Sequence, residues 1–501
     1  MLHNSRFVGV VIKQSFWGTA IAYVGVIVGY VNTLYFRAEY LTLEEIGLFT
    51  LVTAHAMMIS PLSSFGTASS YIKFFPSFQG ADRHRLFSLL LLLAFLGNAT
   101  ILSLGFFFQD LIAARYQDTA PTYLNFLFIT GIVMCSNSLF ELFFSYSRSI
   151  MKVLFPSFLK DVYLRLGALL MVVGYAFHWW SFDWAVYGLA LVYAFGFVLL
   201  LLQLILKHGF RFNFSTRALA KGWGRQIIRY GAYAMLLAGS FAFYNNASYD
   251  QVTTFLGPEA LGVFQTCFFI GVIVEMPRRN MAKVVGPIIS TSIAQNDQTE
   301  LKSIYQRSSI TMSVLGMLLL IGIISNLPDL FRFIPKGEEF CRGYWVVIFI
   351  CLAKLFFMLS SFSAEIISYS AHYRYNLFFQ ATGAVLLVLF NHLLIPIWGI
   401  NGAAVAFLSA TVIYLSLGVA FVKQQYNMYP ITWSHFKLLG ISVVVSAVAF
   451  LFQLDGHPVL VIFLRSVLTT VIFVPLVYYF KVSADFNRLG DLALQRLIGK
   501  K

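Results

Sequence analysis

Apolar runs of about 20 residues, the length that a helix needs to cross about 30 Å of hydrocarbon, recur from one end of the sequence to the other. Of all residues 59% are hydrophobic and only 11% are charged, whereas a soluble globular chain has about 25% charged residues. The sequence therefore predicts an all-α polytopic membrane protein. We count fourteen predicted spans: 14–36, 44–72, 86–108, 121–146, 156–177, 184–206, 226–248, 259–282, 306–327, 343–364, 375–396, 400–422, 433–453 and 458–480.

Lysine and arginine are unevenly distributed between the two sets of loops. The amino terminus, every second loop and the carboxyl tail, counted together with the adjoining ends of the spans, hold 27 of the 35 basic residues, and the alternate loops hold only 5. Because basic residues are retained on the cytoplasmic side of a membrane, we expect both termini to be cytoplasmic. The same rule accounts for the net charge of +14 without a nucleic-acid partner.

The first half of the sequence recurs in the second half at a nearly constant offset. The matches at an offset of 215 include Leu41 with Leu256, Glu44 with Glu259, Gly47 with Gly262 and Phe49 with Phe264. The repeat predicts two six-helix bundles, spans 1–6 and 7–12, related by a pseudo-two-fold axis along the membrane normal. Two extra helices follow. The predicted division is 1–206 for the first bundle, 207–225 for a basic cytoplasmic linker, 226–424 for the second bundle, and 425–501 for two additional helices with a basic cytoplasmic tail.

The end of predicted span 8 concentrates positive charge next to a proline. Pro277 is expected to kink the helix, and Arg278 and Arg279 follow it, three and four residues after Glu275. That spacing permits ion pairs along a helix. Two interpretations stay open: an internal pair that also anchors the span on the cytoplasmic side, or contact between at least one arginine and a phosphate. Lys283, four residues beyond Arg279, shares its predicted face.

Lys354 lies in the middle of predicted span 10, with no carboxylate three or four residues away. Charges inside a membrane normally face a bundle interior or water because they are costly in hydrocarbon. Glu365 follows eleven residues later, which is three turns along the same helix face. We expect the two side chains to line one wall, either as part of a substrate site or as a buried pair between helices.

Two further acidic residues are candidates for coupling transport to a cation. Glu141, near the end of span 4, is close to the repeat counterpart of Glu365, and interhelical hydrogen bonding is its alternative role. Asp250 lies at the outer end of span 7, where helix capping is the alternative. His55 is interpreted as a core histidine with satisfied hydrogen bonds.

Three stretches, taken together, carry a resemblance to a known family. Residues 394–406 read Leu-Ile-Pro-Ile-Trp-Gly-Ile-Asn-Gly-Ala-Ala-Val-Ala, residues 256–264 read Leu-Gly-Pro-Glu-Ala-Leu-Gly-Val-Phe, and residues 40–76 lead into span 2. They resemble the span 11–12, span 8 and span 2 signatures of polysaccharide flippases in the MOP superfamily, which also contains MATE-like transporters. The similarity covers about residues 10–425.

This resemblance implies a Wzx-type flippase, which moves undecaprenyl-pyrophosphate-linked oligosaccharide across the bacterial inner membrane for surface polysaccharide such as O-antigen. The region of Lys354, residues 365–370 and Arg374 looks like the variant found in lipopolysaccharide-gene members. Arginine offers a planar fork to phosphate oxygens and lysine a point charge. The predicted substrate-binding residues are Arg278, Arg279, Lys283, Lys354 and Arg374, and the predicted coupling residues are Glu365, Glu141 and Asp250.

Two other functions compete with this one. A cation-coupled MATE-like small-molecule antiporter would favour acidic over basic residues in its cavity. A membrane glycosyltransferase, polymerase or ligase tends to need a sizeable external loop, and every predicted external loop is short. The sequence contains no phosphate-binding loop of the glycine-rich type, and its four cysteines suggest neither a disulfide framework nor a metal cluster. We therefore expect no enzyme and no cofactor. The expected partners are a lipid-linked oligosaccharide, the bilayer and a candidate coupling cation.

Overall fold

The computed structural model describes residues 17–18, 20–214, 223–452 and 455–497. Every regular element within these residues is a helix, and eleven helices are long and apolar enough to cross a membrane. The predicted all-α polytopic fold is thereby confirmed. The helices are α1 (Ala20–Tyr40), α2 (Leu43–Ser63), α3 (Thr67–Phe74), α4 (Ala81–Phe107), α5 (Gln109–Tyr116), α6 (Pro121–Leu124), α7 (Leu127–Ser149), α8 (Leu154–Phe158), α9 (Leu164–Ala176), α10 (Phe182–His208), α11 (Trp223–Gly271), α12 (Met276–Ala294), α13 (Gln298–Phe333), α14 (Gly337–Phe340), α15 (Tyr344–Leu359), α16 (Ser363–Tyr369), α17 (Arg374–Tyr426), α18 (Trp433–Leu451), α19 (Pro458–Tyr479) and α20 (Ala484–Leu497).

Two of the long helices contain a glycine at which the backbone leaves helical geometry. The break in α11 is at Gly257 (φ 84°, ψ 173°), and the break in α17 is at Gly399 (φ 57°, ψ −137°). Glycine adopts positive φ without the steric cost that a Cβ adds, so each long helix is two segments joined by a tight turn. The predicted fifth span corresponds to α8 and α9 with a π-helical turn between them. This span carries three charged residues, Lys160, Asp161 and Arg165. The total of fourteen spans stays a prediction.

The chain divides into two compact units, Met1–Gly262 and Val263–Lys501. One core cluster of the first unit is rich in aromatic side chains: Phe87 lies 4.9 Å from Phe143 and 5.0 Å from Phe210 between ring centroids. In the second unit, Phe473 and aliphatic side chains of α13, α18 and α19 form one core cluster. The two additional helices therefore pack on α13. The bundle and linker boundaries derived from the repeat remain predictions, and residues 215–222 of that linker lie outside the described part.

Within the first unit, the repeated segments contact each other reciprocally. A Cβ placed on Gly47 in α2 would lie 1.8 Å from the carbonyl oxygen of Pro258, and a Cβ on Gly262 would lie 2.2 Å from the carbonyl oxygen of Leu43. Both the two glycines and the two carbonyl residues are separated by the repeat offset of 215. Gly47 approaches Pro258, and their repeat counterparts Gly262 and Leu43 approach each other in the same way. A two-fold axis produces such reciprocal contacts.

The start of α2 is defined by its own side chains. The amide of Glu45 donates to Thr42 Oγ1 over 3.2 Å, and the amide of Thr42 donates to Glu45 Oε2 over 2.8 Å. This capping box satisfies two backbone donors that a helix start otherwise leaves without partners. The hydroxyl of Tyr175 donates to the other carboxylate oxygen of Glu45 over 2.8 Å and so ties α9 to the start of α2.

The predicted orientation is testable at two exposed positions on opposite sides. In a Cys341→Ser background, we expect Glu338→Cys to react with a membrane-impermeant maleimide added to intact cells. We expect Gln79→Cys to react only after permeabilisation, because the loops rich in lysine and arginine are cytoplasmic. Labelling of position 79 from outside would overturn both the orientation and the cytoplasmic placement of the termini.

Candidate functional site

The second unit brings together three of the predicted cations and two carboxylates. Lys354 comes from α15, Arg278 and Arg279 from the first turn of α12, and Glu275 from the short 3-10 turn that precedes α12. Glu365 comes from α16. We call these five side chains the cation cluster.

Pro277 explains the local backbone of the cation cluster. Because proline has no amide hydrogen and its ring clashes with the preceding turn, a regular α-helix cannot run through it undisturbed. The chain instead forms a 3-10 turn over Val272–Glu275, and α12 then starts at Met276 with the proline at its beginning. The predicted kink at this proline is therefore seen as a change of helix type.

Lys354 is a fully buried lysine with a carboxylate partner. Its side chain is 2% exposed, and its Nζ lies 2.8 Å from Glu275 Oε2. Three aromatic rings surround the ammonium group, with centroid distances of 5.8 Å to Phe268, 4.9 Å to Phe357 and 5.1 Å to Phe407. Ring faces attract cations most strongly where water is excluded, so the rings and Glu275 together compensate for the lost hydration.

Arg279 shares the same carboxylate but remains accessible. Its Nε lies 3.4 Å from Glu275 Oε1, and its side chain is 57% exposed. The ion pair between positions four apart, which the sequence spacing permits, is therefore present. Because this contact is long and the guanidinium has four further N–H donors, most of the donors of Arg279 remain available to a ligand.

Arg278 turns away from Glu275 and pairs with Glu365. Its Nη2 lies 3.0 Å from both carboxylate oxygens of Glu365, and its Nε donates to the carbonyl oxygen of Ser361 over 3.0 Å. The prediction that Lys354 and Glu365 share one helix face is wrong. The helix ends at Leu359, and Ser361 adopts a φ of 52°, so the two residues lie on different helices.

The remaining predicted basic residues are not part of the cation cluster as described. Arg374 is exposed at the start of α17, with its guanidinium 5.8 Å from the ring of Tyr373. Lys283 lies in α12, but its side chain is outside the described part of the structure. A substrate role for either residue stays a prediction.

Glu141 is paired within the first unit. Arg148 Nη2 lies 3.0 Å from Glu141 Oε2, and Lys160 donates to the other carboxylate oxygen. The alternative role, hydrogen bonding between helices, is thus present, because Lys160 comes from the π-helical turn after α8. A coupling role for Glu141 stays a prediction.

Asp250 lies in a polar network of the first unit and does not cap a helix, so the capping interpretation is wrong. It accepts a hydrogen bond from Tyr116, and its Oδ2 lies 2.6 Å from Arg115 Nη2. His55 Nε2 lies 3.0 Å from Asp250 Oδ1, and His55 Nδ1 lies 2.6 Å from the hydroxyl of Tyr123. Burial raises the pKa of the Tyr116 phenol, so its hydroxyl stays protonated and donates. The interpretation of His55 as a satisfied core histidine is confirmed.

Sequence reasoning missed the partners that lie far apart along the chain. Lys354 and Glu275 are 79 positions apart, and His55 and Asp250 are 195 apart. Helical periodicity relates residues a few positions apart, so it cannot predict pairs at these sequence separations. The only available signal was that an unpaired charge in an apolar span requires some partner, and this signal did not single out Glu275, which its local spacing had already related to Arg278 and Arg279.

The fold is similar to that of solved membrane transporters. The lipid II flippase MurJ in an inward closed conformation matches with a TM-score of 0.77 at 12% identity, over 92% of this chain and 98% of that one. An inward-facing multidrug resistance MATE family transporter of the MOP superfamily matches with a TM-score of 0.62 at 12% identity, over 81% and 94%. A MOP superfamily transporter from Pyrococcus furiosus Vc1, described as having a binding pocket of reverse polarity, matches with a TM-score of 0.57 at 11% identity, over 83% and 95%.

No protein-family model matches the chain, and no curated protein sequence matches it either. At 11–12% identity the structural matches establish the architecture alone. The chain is a polytopic helical membrane protein with the fold shared by a lipid flippase and by multidrug transporters of the MOP superfamily.

Proposed function

We propose that this protein is a flippase that moves undecaprenyl-pyrophosphate-linked oligosaccharide across the bacterial inner membrane by alternating access. The observation that carries the proposal is the charge of the cation cluster. Three cations share two carboxylates, and Arg279, the most exposed of the three, makes only one long ion-pair contact. A cluster with one excess positive charge and an accessible guanidinium suits a pyrophosphate group.

The basic side chains of the cation cluster differ in exposure and in how firmly they are held by carboxylates. This difference suits release of a substrate as well as binding. Lys354 is buried and held by Glu275, so it contributes to the local potential without reaching the substrate easily. Arg279 exchanges a weak contact for phosphate oxygens, and Glu275 remains compensated by Lys354 when Arg279 leaves. A transported substrate must not be held too tightly, and a site built on one accessible arginine limits affinity in this way.

The similarity to the lipid II flippase MurJ supports a lipid-linked substrate, and the similarity to transporters supports transport rather than an enzymatic reaction. For a cation-coupled antiporter of small molecules, the site should offer carboxylates that are free to bind a cation. Here each of the four candidate carboxylates contacts at least one basic side chain: Glu141, Asp250, Glu275 and Glu365. This pairing favours an anionic substrate over a cationic one.

Replacing Arg279 by alanine is expected to reduce flipping of undecaprenyl pyrophosphate carrying a sugar in proteoliposomes by about tenfold or more, because charge-assisted hydrogen bonds contribute about 1.5–3 kcal/mol each. Arg279→Lys should retain part of the activity if charge matters more than the planar fork. In a strain that lacks its own flippase, surface glycan should fall in the same order at equal membrane abundance.

The chain contains a closely matched control for this experiment. Arg332 is 61% exposed and lies 3.3 Å from Asp329 three residues earlier, so it resembles Arg279 in exposure and in its local ion pair. Arg332 is not in the cation cluster, and Arg332→Ala should leave flipping unchanged. Equal activity of Arg279→Ala and Arg332→Ala would contradict the assignment of Arg279 to the substrate site.

A further inference from the structure

Arg278 is held by the segment in which α15 ends and α16 begins. Its Nε donates to the carbonyl oxygen of Ser361 over 3.0 Å, and its guanidinium carbon lies 5.5 Å from the centroid of the Phe362 ring. Its third partner, Glu365, lies in the first turn of α16. We call residues 360–362, which separate the two helices, the helix break. The geometry of the helix break therefore determines where Arg278 is held.

Two consecutive serines of α13 hold the helix break in place. Ser361 has a φ of 52°, a conformation that is uncommon for a residue with a Cβ and that persists where surrounding contacts fix it. The hydroxyl of Ser309 donates to the carbonyl oxygen of Leu359 over 2.9 Å, and the hydroxyl oxygens of Ser308 and Ser361 are 2.7 Å apart. The first of these bonds supplies a donor to a carbonyl at a helix end, where the regular partner is missing. The helix break is thus fixed from α13.

The same hydrogen-bonded path reaches α18, one of the two additional helices. His435 is buried, and its Nε2 lies 3.2 Å from Ser309 Oγ. The backbone amide of Thr432 donates to His435 Nδ1 over 3.0 Å, so in the neutral imidazole Nε2 carries the hydrogen. The single hydrogen of the Ser309 hydroxyl goes to Leu359, so Ser309 accepts from His435. Donors and acceptors therefore match along the whole path from α18 to the helix break.

The position of Arg278 decides how the charges of the cation cluster are paired. Arg278 follows Glu275 by three residues, a spacing that permits an ion pair between them. The structure pairs Arg278 with Glu365 instead, and Glu275 is left to Lys354 and Arg279. An Arg278 released from the helix break would compete with Arg279 for Glu275, and Glu365 would lose this partner. The helix break therefore controls how three cations are divided between two carboxylates.

We propose that Ser308, Ser309 and His435 are positioning residues of the cation cluster, which hold Arg278 against Glu365 through the helix break. The inference deepens the proposed function and rests on it only for the effect on flipping, whereas the path itself is tested without transport. It gives α18, which lies outside the predicted repeat, a role at the candidate substrate site.

The first test is a cycle of single and double variants, in which the melting temperature of the purified full-length protein is measured in nanodiscs. Ser309→Ala removes the donor to Leu359, and Arg278→Met removes the guanidinium group. Each change is expected to lower the melting temperature. The double variant should lower it by less than the sum of the two shifts, because changes within one hydrogen-bond network are not additive.

Ser313→Ala is the matched control. Ser313 is fully buried in α13 like Ser309, but its hydroxyl donates to a backbone carbonyl of its own helix over 2.7 Å. Combined with Arg278→Met, it should give the sum of the two separate shifts. The proposal is overturned if Ser309→Ala combines with Arg278→Met as additively as Ser313→Ala does. If Ser309→Ala does not fold, His435→Leu takes its place in the cycle under the same criterion.

A second test separates hydrogen bonding by His435 from the filling of space. A glutamine at the third position of a helix can accept from the amide of the capping residue and donate through its own amide group. We therefore expect His435→Gln to melt close to the unchanged protein and His435→Leu to melt at a lower temperature. Equal melting of these two variants would show that His435 does not act through Ser309.

Flipping in proteoliposomes tests the consequence for the cation cluster. Ser309→Ala should lower flipping by about two- to tenfold, the factor that one neutral hydrogen bond contributes, and should cause no further loss in an Arg278→Met background. A further loss of the same size in that background would contradict a role that acts through Arg278. If Arg279→Ala flips normally, the proposed function fails, and the cycle of melting temperatures still decides the positioning role.

Discussion

Replacing Glu275 by alanine is expected to destabilise the protein by about 3–5 kcal/mol, the cost of leaving a buried charge without its partner. Lys354 is 2% exposed, and Glu275 is the carboxylate that it contacts. Removing Lys354 instead should cost less, because Glu275 retains the contact with Arg279. We therefore expect Lys354→Met to melt at a higher temperature than Glu275→Ala, and thermal unfolding in detergent measures the order.

The double variant Lys354→Met with Glu275→Gln separates structural from functional roles. Replacing both members of a buried ion pair by uncharged groups of similar volume is often neutral for stability. We expect the double variant to recover most of the lost stability but to remain defective in flipping, because it lacks the Lys354 ammonium group, although the net charge of the cation cluster stays at +1. Full flipping by a stable double variant would mean that Lys354 is structural and that its assignment to the substrate site is wrong.

The second unit contains a matched ion pair that serves as the control. Arg465 Nη1 in α19 lies 2.7 Å from Asp329 Oδ2 in α13, with side-chain exposures of 9% and 8%. Asp329 has a second, exposed partner, Arg332, just as Glu275 has Arg279. The double variant Arg465→Met with Asp329→Asn should therefore recover most of the stability that is lost when only one member of this pair is replaced. It should retain flipping, since this pair is outside the cation cluster.

The sequence predicted those features that depend on local spacing. The apolar runs predicted the membrane helices, because a helix needs about 20 apolar residues to span the hydrocarbon. The intervals of three and four residues permitted pairs of Glu275 with Arg278 and Arg279, because side chains at those spacings are neighbours on one helix face, and the pair with Arg279 is present. The break in span 10 was not predicted, since Ser360, Ser361 and Phe362 continue an apolar and small-residue pattern that a regular helix tolerates. That break placed Glu365 on another helix than Lys354.

Partners across the fold depend on packing that no periodicity encodes. Arg278 contacts Glu365 over 87 positions, and Arg115 contacts Asp250 over 135. Each charge in an apolar span indicated that a partner of opposite charge was needed. The sequence, however, did not show which of several carboxylates in other spans was that partner. The packing of the helices decides among them. The repeat was the exception, because its constant offset relates distant segments directly, and the reciprocal contact of Gly47 and Gly262 follows that offset.

Gly47→Ala and Gly262→Ala are each expected to destabilise the protein strongly, by about 3 kcal/mol, the upper part of the usual range for overpacking. The added Cβ would lie 1.8 Å from the carbonyl oxygen of Pro258 or 2.2 Å from that of Leu43, and side-chain Cβ atoms essentially never approach another atom within 3.0 Å. The obstructing atoms are backbone, which no rotamer change can move. Relief therefore requires the start of α2 and the second part of α11 to separate.

The control is Gly322→Ala in α13, where an added Cβ meets nothing within 4 Å. Alanine has a higher helix propensity than glycine, so this variant should be unchanged or more stable by up to about 1 kcal/mol. Because Gly47 and Gly262 act on one shared contact, the double variant should cost less than the sum of the two single variants. Melting temperatures of the three single variants and the double variant decide the matter. If Gly47→Ala and Gly262→Ala melt like Gly322→Ala, the close reciprocal contact does not exist in the folded protein, and the two-fold relation between the repeated segments loses its structural support.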